Sequence, residues 1–282
     1  MKKGLVMEGG GMRGMFVAGV CDVLMENCII FDGAIGVSAG ACFGCNYKSG
    51  QIGRAIRCTA KYIVDPRYCS FRSLITTGNL FGADFCYHEI PEKLDVFDSE
   101  AYEKNPMEFY VVCSDAVSGE AVYHKCDVAD FETMEWIRAS ASLPLVSKPV
   151  EINGLELLDG GIVDSIPLKW FCENGYEKNI VVLTQPRNFT KKKSSNLPLI
   201  KASLRKYPKM YEKVKNRHIM YNNTLKYIEE KRKSGEVLVI QPDEALPVDR
   251  VDKNPDNLRK AYNIGREVTQ RRIEEIKRFM ED

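Results

Sequence analysis

The chain has 282 residues, 44% of them hydrophobic and 28% charged, with a formal net charge of +1 and ten cysteines. That length and apolar content suit one α/β domain with a sizeable core. No run is long or apolar enough to span a bilayer as a helix and no apolar stretch of signal type follows Met1-Lys2-Lys3, so the expectation is a soluble, cytoplasmic protein.

The first expected element is a strand at residues 3–8, followed by Gly9-Gly10-Gly11-Met12-Arg13-Gly14 and a helix over residues 12–27. Consecutive glycines let backbone N–H groups point into one concave space, which suits an anion. Gly9, Gly10, Gly11, Arg13 and Gly14 are therefore candidates for stabilising an oxyanion, with Arg13 anchoring the loop or adding positive field. The same run fits G-x-G-x-x-G, and with Asp32 near the end of the next expected strand it also matches a dinucleotide-binding fingerprint. That leaves a nucleotide-dependent oxidoreductase open as an alternative.

A second strand is expected at residues 28–35, leading into Gly36-Val37-Ser38-Ala39-Gly40 and a helix from about residue 41. A sharp strand-to-helix turn exposes the serine, and Gly36 and Gly40 give the turn its room. Cys42 and Cys45 form a C-x-x-C pair without a second pair or a histidine at metal spacing, so packing is the expected role, and the cysteines overall are expected as reduced thiols. Residues 65–82 carry Tyr68, Phe71, Leu74, Ile75, Leu80 and Phe81, with Gly78 and Gly82 as candidate hinges, which fits either a mobile lid or a packed loop.

Further on, residues 109–114 and 120–124 are expected to form a hairpin, residues 131–141 a helix, and residues 155–158 a strand ending at Asp159-Gly160-Gly161. The three histidines, His88, His124 and His218, stand in no recognisable catalytic setting. Asp159 is the better candidate base, although an ordinary carboxyl with a pKa of ~3.9 is a weak one unless it bonds the hydroxyl directly in a dry site. Strands are expected at residues 179–184 and 237–240, and a last helix at about 254–280. Between residues 187 and 235 lie 15 Lys and Arg against 3 Glu, a net of +12 that leaves −11 for the rest of the chain. Interleaved with tyrosines and aliphatics, this basic segment suits a helical insertion that touches an anionic membrane, covers the site, or is simply solvated. No nucleic-acid motif accompanies it.

Taken together, the glycine loop, G-x-S-x-G, Asp-Gly-Gly and the segment Ala139-Ser140-Ala141-Ser142-Leu143-Pro144 resemble the patatin-like phospholipases, in a bacterial cytoplasmic form, over roughly residues 4–184. The resemblance implies a three-layer α/β/α sandwich with a mostly parallel sheet, spanning residues 1–282 as one catalytic domain. It also implies a Ser38–Asp159 dyad without histidine, an acyl-enzyme, an oxyanion hole from the Gly9–Gly14 loop, and no cofactor or metal. The expected activity is hydrolysis of lipid acyl esters, of phospholipase A or lysophospholipase type, with a carboxylesterase of small soluble esters as an alternative. Ser165, two residues before Pro167, departs from the asparagine often found in the family and leaves a local support contact unassigned.

Overall fold

The computed structural model describes residues 1–281. Its centre is an eight-stranded sheet in the order β5-β6-β3-β2-β1-β7-β8, with β4 added on β3. The strands are β1 (Lys2–Met7), β2 (Gly33–Val37), β3 (Glu108–Asp115), β4 (Ala121–Lys125), β5 (Val150–Ile152), β6 (Leu155–Asp159), β7 (Tyr176–Val182) and β8 (Val237–Ile240). The run β3-β2-β1-β7-β8 is parallel, whereas β4 and β6 lie antiparallel to β3, and β5 to β6.

The helices are α1 (Met15–Glu26), α2 (Ala39–Lys48), α3 (Arg54–Tyr62), α4 (Phe71–Thr77), α5 (Ser99–Lys104), α6 (Phe131–Ser140), α7 (Leu168–Glu173), α8 (Leu197–Ser203), α9 (Pro208–Lys233), α10 (Pro255–Arg271) and α11 (Ile273–Glu281). The central strands are buried on both faces, which is why they are nearly continuous apolar runs. Along β1, Leu5 and Met7 face a core shared with α1, α6 and α10, while Val6 faces one shared with α7 and α9. The result is a three-layer α/β/α sandwich with a mostly parallel sheet.

Three boundaries differ from expectation. Residues 28–32 are a turn, not strand: Cys28 takes φ 54° and Ile30 is 78% exposed, so β2 begins only at Gly33. The first helix starts at Met15, after a single 3-10 turn at Gly11–Gly14. The last helix is interrupted at Arg272, which divides it into α10 and α11. The basic segment does contain a helical pair, α8 and α9.

Strand register brings the chemistry to one edge. Ser38 follows β2 and Gly9–Gly11 follow β1, both at the carboxyl ends of parallel strands, where ligands of such sheets sit. Val37 pairs with Val112, so Ser38 continues at the level of Cys113, and Cys113 pairs with Asp159 on β6. The antiparallel β6 thus delivers Asp159 to the level of Ser38 from the opposite direction.

Candidate active site

Ser38 takes φ 54° and ψ −124° at the start of α2. Such strained backbone costs about 1–3 kcal/mol and persists only when the surroundings over-determine it. Here they do. The Ser38 N–H donates to Ser140 Oγ at 2.8 Å, and that hydroxyl donates in turn to the Val112 carbonyl at 2.6 Å. A Cβ on Gly36 would stand 2.6 Å from the backbone of Ala41, and one on Gly40 would run into the carbonyls of Met7 and Glu8. These two glycines are what allow α2 to leave β2 so abruptly.

Asp159 is 1% exposed. Its N–H donates to the Ser142 carbonyl at 2.8 Å, its carbonyl accepts from Ser114 Oγ at 2.7 Å, and its Oδ1 accepts from the Gly161 N–H at 2.8 Å. Burial pushes the carboxyl above its usual 3.8, opposed first by Arg217 and then by the Ser38 hydroxyl and the Gly161 N–H. Arg217, on α9, reaches the same spot: its Nη2 and Asp159 Oδ1 each lie 2.9 Å from where a Cβ on Gly161 would be. Ser165 Oγ donates to the Gly161 carbonyl at 2.6 Å and accepts from Arg217 at 3.4 Å, so Ser165 itself supplies the support contact at that position.

A small polar cavity of about 30 Å³ joins Gly9, Gly10, Gly11, Arg13, Ser38 and Asp159. Among the described residues, the N–H groups of Gly9, Gly10 and Gly11 donate to no protein acceptor. Gly9 lies so close to Ser38 that a Cβ on it would stand 2.7 Å from Ser38 Cβ. The loop is held from behind by Glu8. Its Oε2 accepts from the Thr184 N–H at 2.6 Å, and its Oε1 accepts from the Tyr221 hydroxyl, also at 2.6 Å.

Two of the loop's candidates play other parts. Gly14 does not line the cavity; it lets the 3-10 turn and α2 pack closely, since a Cβ there would stand 2.6 Å from Ala39 Cβ. The Arg13 guanidinium points to the Gln185 amide oxygen, at 2.9 and 3.2 Å, and so anchors the loop. Asp32 corrects the dinucleotide reading. It lies before β2, at the amino end of the sheet, where its carboxylate accepts from the Lys3 N–H at 2.6 Å. A ribose ligand there would be on the wrong edge of the sheet for the Gly9–Gly14 loop.

None of the three histidines lines the small cavity. His88 pairs with Glu135 at 2.9 Å, and His124 stacks on Trp136 with ring centroids 3.9 Å apart. His218 lines a larger neighbouring cavity of about 940 Å³. That cavity opens beside Ser38 and is walled by apolar groups such as Phe43, Phe81, Ile90, Leu143 and Val146. Both candidate covering segments contribute: residues 65–82 through Tyr68, Asn79 and Phe81, and the basic segment through Phe189, Ile200 and Val214. Cys42 and Cys45 are free and also line it, and burial pushes their thiols up to about 12 and about 11. Among the described residues no cluster of three His, Cys, Asp or Glu is placed to hold a metal ion, and no helix is long and apolar enough to cross a membrane.

Sequence reasoning did not find Ser140 as a backbone clamp, nor Glu8, Thr184, Lys191, Arg217, Tyr221 and Arg250. The Ala-Ser repeat before Pro144 was a signal for the first. The others come from separate elements and share no spacing.

A family model for patatin-like phospholipase matches residues 5–171, and one for a domain of unknown function, DUF6363, matches residues 207–281. The uncharacterised protein YjjU of Escherichia coli is 30% identical over 189 residues, 64% of this chain and 52% of the relative. An uncharacterised NTE family protein of Mycobacterium tuberculosis is 29% identical over 202 residues, covering 69% of this chain and 32% of the relative. Lysophospholipase nte1 of Aspergillus niger is 29% identical over 174 residues, 58% of this chain but 10% of the relative. The chain thus spans about half or less of the length of these relatives. The solved structure of VipD from Legionella pneumophila aligns with a TM-score of 0.47 at 12% identity, covering 96% of this chain and 66% of that one. With a family model covering more than half of its residues, this chain belongs to the patatin-like phospholipase family.

Proposed function

We propose that this chain is a serine acyl hydrolase of lipid esters, of phospholipase A or lysophospholipase type, working through a Ser38–Asp159 dyad. The observation that carries the reading is the junction of three things at Ser38: a buried carboxyl, unpaired loop N–H groups, and an apolar cavity of about 940 Å³. Ser38 Oγ attacks the ester carbonyl while its proton passes to Asp159. The oxyanion forms in the small cavity, against the N–H groups of Gly9, Gly10 and Gly11. Collapse breaks the bond to the alcohol, which takes the proton back from Asp159 and leaves an acyl-Ser38 ester. Water then attacks this ester, again giving its proton to Asp159, and the fatty acid leaves as Ser38 regains its hydrogen.

The size and apolar lining of the larger cavity favour a lipid acyl chain over a small soluble ester. Residues 1–282 act in this reading as one catalytic domain, because α9 reaches Asp159 through Arg217. Contact with an anionic membrane surface through the basic segment belongs to the same proposal.

The test is covalent labelling by a fluorophosphonate, read by mass spectrometry. One adduct on Ser38 is expected, absent in Ser38→Ala and slowed at least about 100-fold in Asp159→Asn, in line with loss of a general base. A folded protein that takes no label, or takes it equally fast in Asp159→Asn, sinks the dyad.

A further inference from the structure

Four cationic side chains, Arg13, Lys191, Arg217 and Arg250, line the small cavity at Ser38, facing two carboxylates, Glu8 and Asp159. Among the described residues none of the four forms an ion pair within 4.0 Å of a carboxylate, although such pairs are frequent elsewhere on the chain. Arg13 is engaged by Gln185. The remaining three have little to hold. Among the described residues Arg217 hydrogen-bonds only the Ser165 hydroxyl, at 3.4 Å, and otherwise acts on Asp159 through its charge alone. The Lys191 ammonium lies over the Tyr221 ring, 4.3 Å from its centroid, and among the described residues the Arg250 side chain donates to no protein acceptor. Their backbones are nonetheless fixed. Lys191 exchanges two hydrogen bonds with the Asn222 amide, at 2.9 and 3.0 Å, and the Arg250 carbonyl accepts from the Met12 N–H at 3.1 Å.

Lys191 and Arg217 are half-buried while Arg250 is exposed at the rim; like charges gathered around a partly dry site without ion-pair partners are costly for a fold to maintain, and such clusters mark functional sites. Their location narrows the ligand. The same three residues also line the large cavity, so they stand where the two cavities meet, beside Ser38. The small cavity, at about 30 Å³, has room for a reacting oxygen but not for a tetrahedral anion. The apolar wall of the large one suits an acyl chain. What remains for the cations is the alcohol portion of the ester.

We propose that Lys191, Arg217 and Arg250 form a subsite for a phosphate carried on the leaving alcohol of the acyl ester, so that the preferred substrate is an anionic acyl glycerophosphate. This rests on the acyl-hydrolase reading of Ser38. Three cations from separate segments match the several oxygens of a phosphate better than the two of a carboxylate. The site is also set to respond to pH. Burial, reinforced by Arg217 and Arg250 and weakly by Arg13, pulls the Lys191 ammonium down to about 7, with Glu8 opposing. The free site therefore loses one positive charge as pH rises through 7, and a bound phosphate favours the charged form.

The experiment compares kcat/KM for a short-chain monoacylglycerol phosphate and for the monoacylglycerol with the same chain, in wild type, Lys191→Met, Arg250→Gln and Lys191→Arg. Wild type should prefer the phosphate ester, and that preference should fall at least about tenfold in Lys191→Met and Arg250→Gln, as expected for one lost charge-assisted contact. Wild type should lose part of that preference between pH 6 and 8, about one unit either side of the lysine's pKa, whereas Lys191→Arg should retain it across that range. Equal kcat/KM for the two esters in wild type, or a preference untouched in both variants, overturns the subsite. Glycerophosphate should compete with the anionic substrate more strongly than inorganic phosphate; equal competition would make this a free-phosphate site and overturn the headgroup assignment. If Ser38 takes no fluorophosphonate, the hydrolase reading is what has failed. Calorimetric binding of glycerophosphate then decides the subsite alone: binding lost in Lys191→Met supports it, and no binding to wild type overturns it.

Discussion

Ser38 is held in its strained turn by a side chain from another element, and that gives Ser140 a role beyond packing. Replacing it by alanine leaves the buried Ser38 N–H without an acceptor, which costs about 1–3 kcal/mol. Chemical denaturation of Ser140→Ala should show a loss in that range, with kcat falling more than KM changes, because the nucleophile shifts while the cavity stays. A variant as stable and active as wild type would mean that the turn holds itself. Asp159 gives a second expectation. As the proposed base it must be ionised, so activity should be lost as pH falls through its pKa, and burial has raised that pKa above 3.8. The acid limb of kcat/KM should therefore lie above the ordinary carboxylate range. Arg217 is the largest influence opposing burial, so Arg217→Gln should move the limb further up. A limb at or below 3.8, or one that does not move, would show that another group controls it.

Among the elements, α9 is tied to the glycine loop through Glu8, which accepts from both Thr184 on the β7 side and Tyr221 on the helix. Tyr221→Phe strips one partner from a buried carboxylate. Stability should drop by about 1–3 kcal/mol, and amide exchange should quicken along Pro208–Lys233 while β1 stays protected; unchanged exchange on α9 would mean that Glu8 is not its tether. How much of this was legible beforehand follows from the range of the forces involved. The strands, the elbow and Asp159 sit in local patterns: apolar runs, glycines at fixed offsets, a strand ending in Asp-Gly-Gly. Residues 28–32 misled because Ile29, Ile30 and Phe31 look like strand, yet only Phe31 is buried and Cys28 turns the chain. Arg217, Lys191 and Arg250 were invisible as a group because each lies on a different segment within a run of charges. Only the packing of α9 and two loops over the sheet edge selects those three from some forty cations.

Across the whole molecule, the net +12 of residues 187–235 divides into two parts with different surroundings. Lys191 and Arg217 line the small cavity, whereas Lys192, at the edge of the large one, and Lys193, Arg205 and Lys206 are exposed and form no ion pair among the described residues. Between them Leu199 is 63% exposed, and across the cavity α4 presents Phe71 and Ile75 at 75% and 84%. Apolar side chains among outward cations suit an anionic lipid surface, where each cation contributes about 1 kcal/mol. Reversing the four exposed charges to glutamate should reduce partition onto vesicles containing anionic lipid by at least about tenfold, an effect erased by high salt in wild type. Partition unchanged by the reversal would remove the membrane from the proposal.

The helix α10 crosses α1 at two glycines, Gly19 and Gly265, each so close to the other helix's backbone that a Cβ would strike a carbonyl. Met12 and α1 open the chain, but their covering helix is translated some 240 residues later. Arg217 and Arg250 are also late arrivals. During synthesis the nucleophile, its turn and Asp159 emerge first, facing neither the arginines nor a closed wall. A ribosome-bound chain therefore carries both residues of the proposed dyad before α9, α10 and the two arginines are in place. On the proposed reading, the close crossing at Gly19 and Gly265 and the arrival of Arg217 and Arg250 complete the site only after Ser38 and Asp159 have been made.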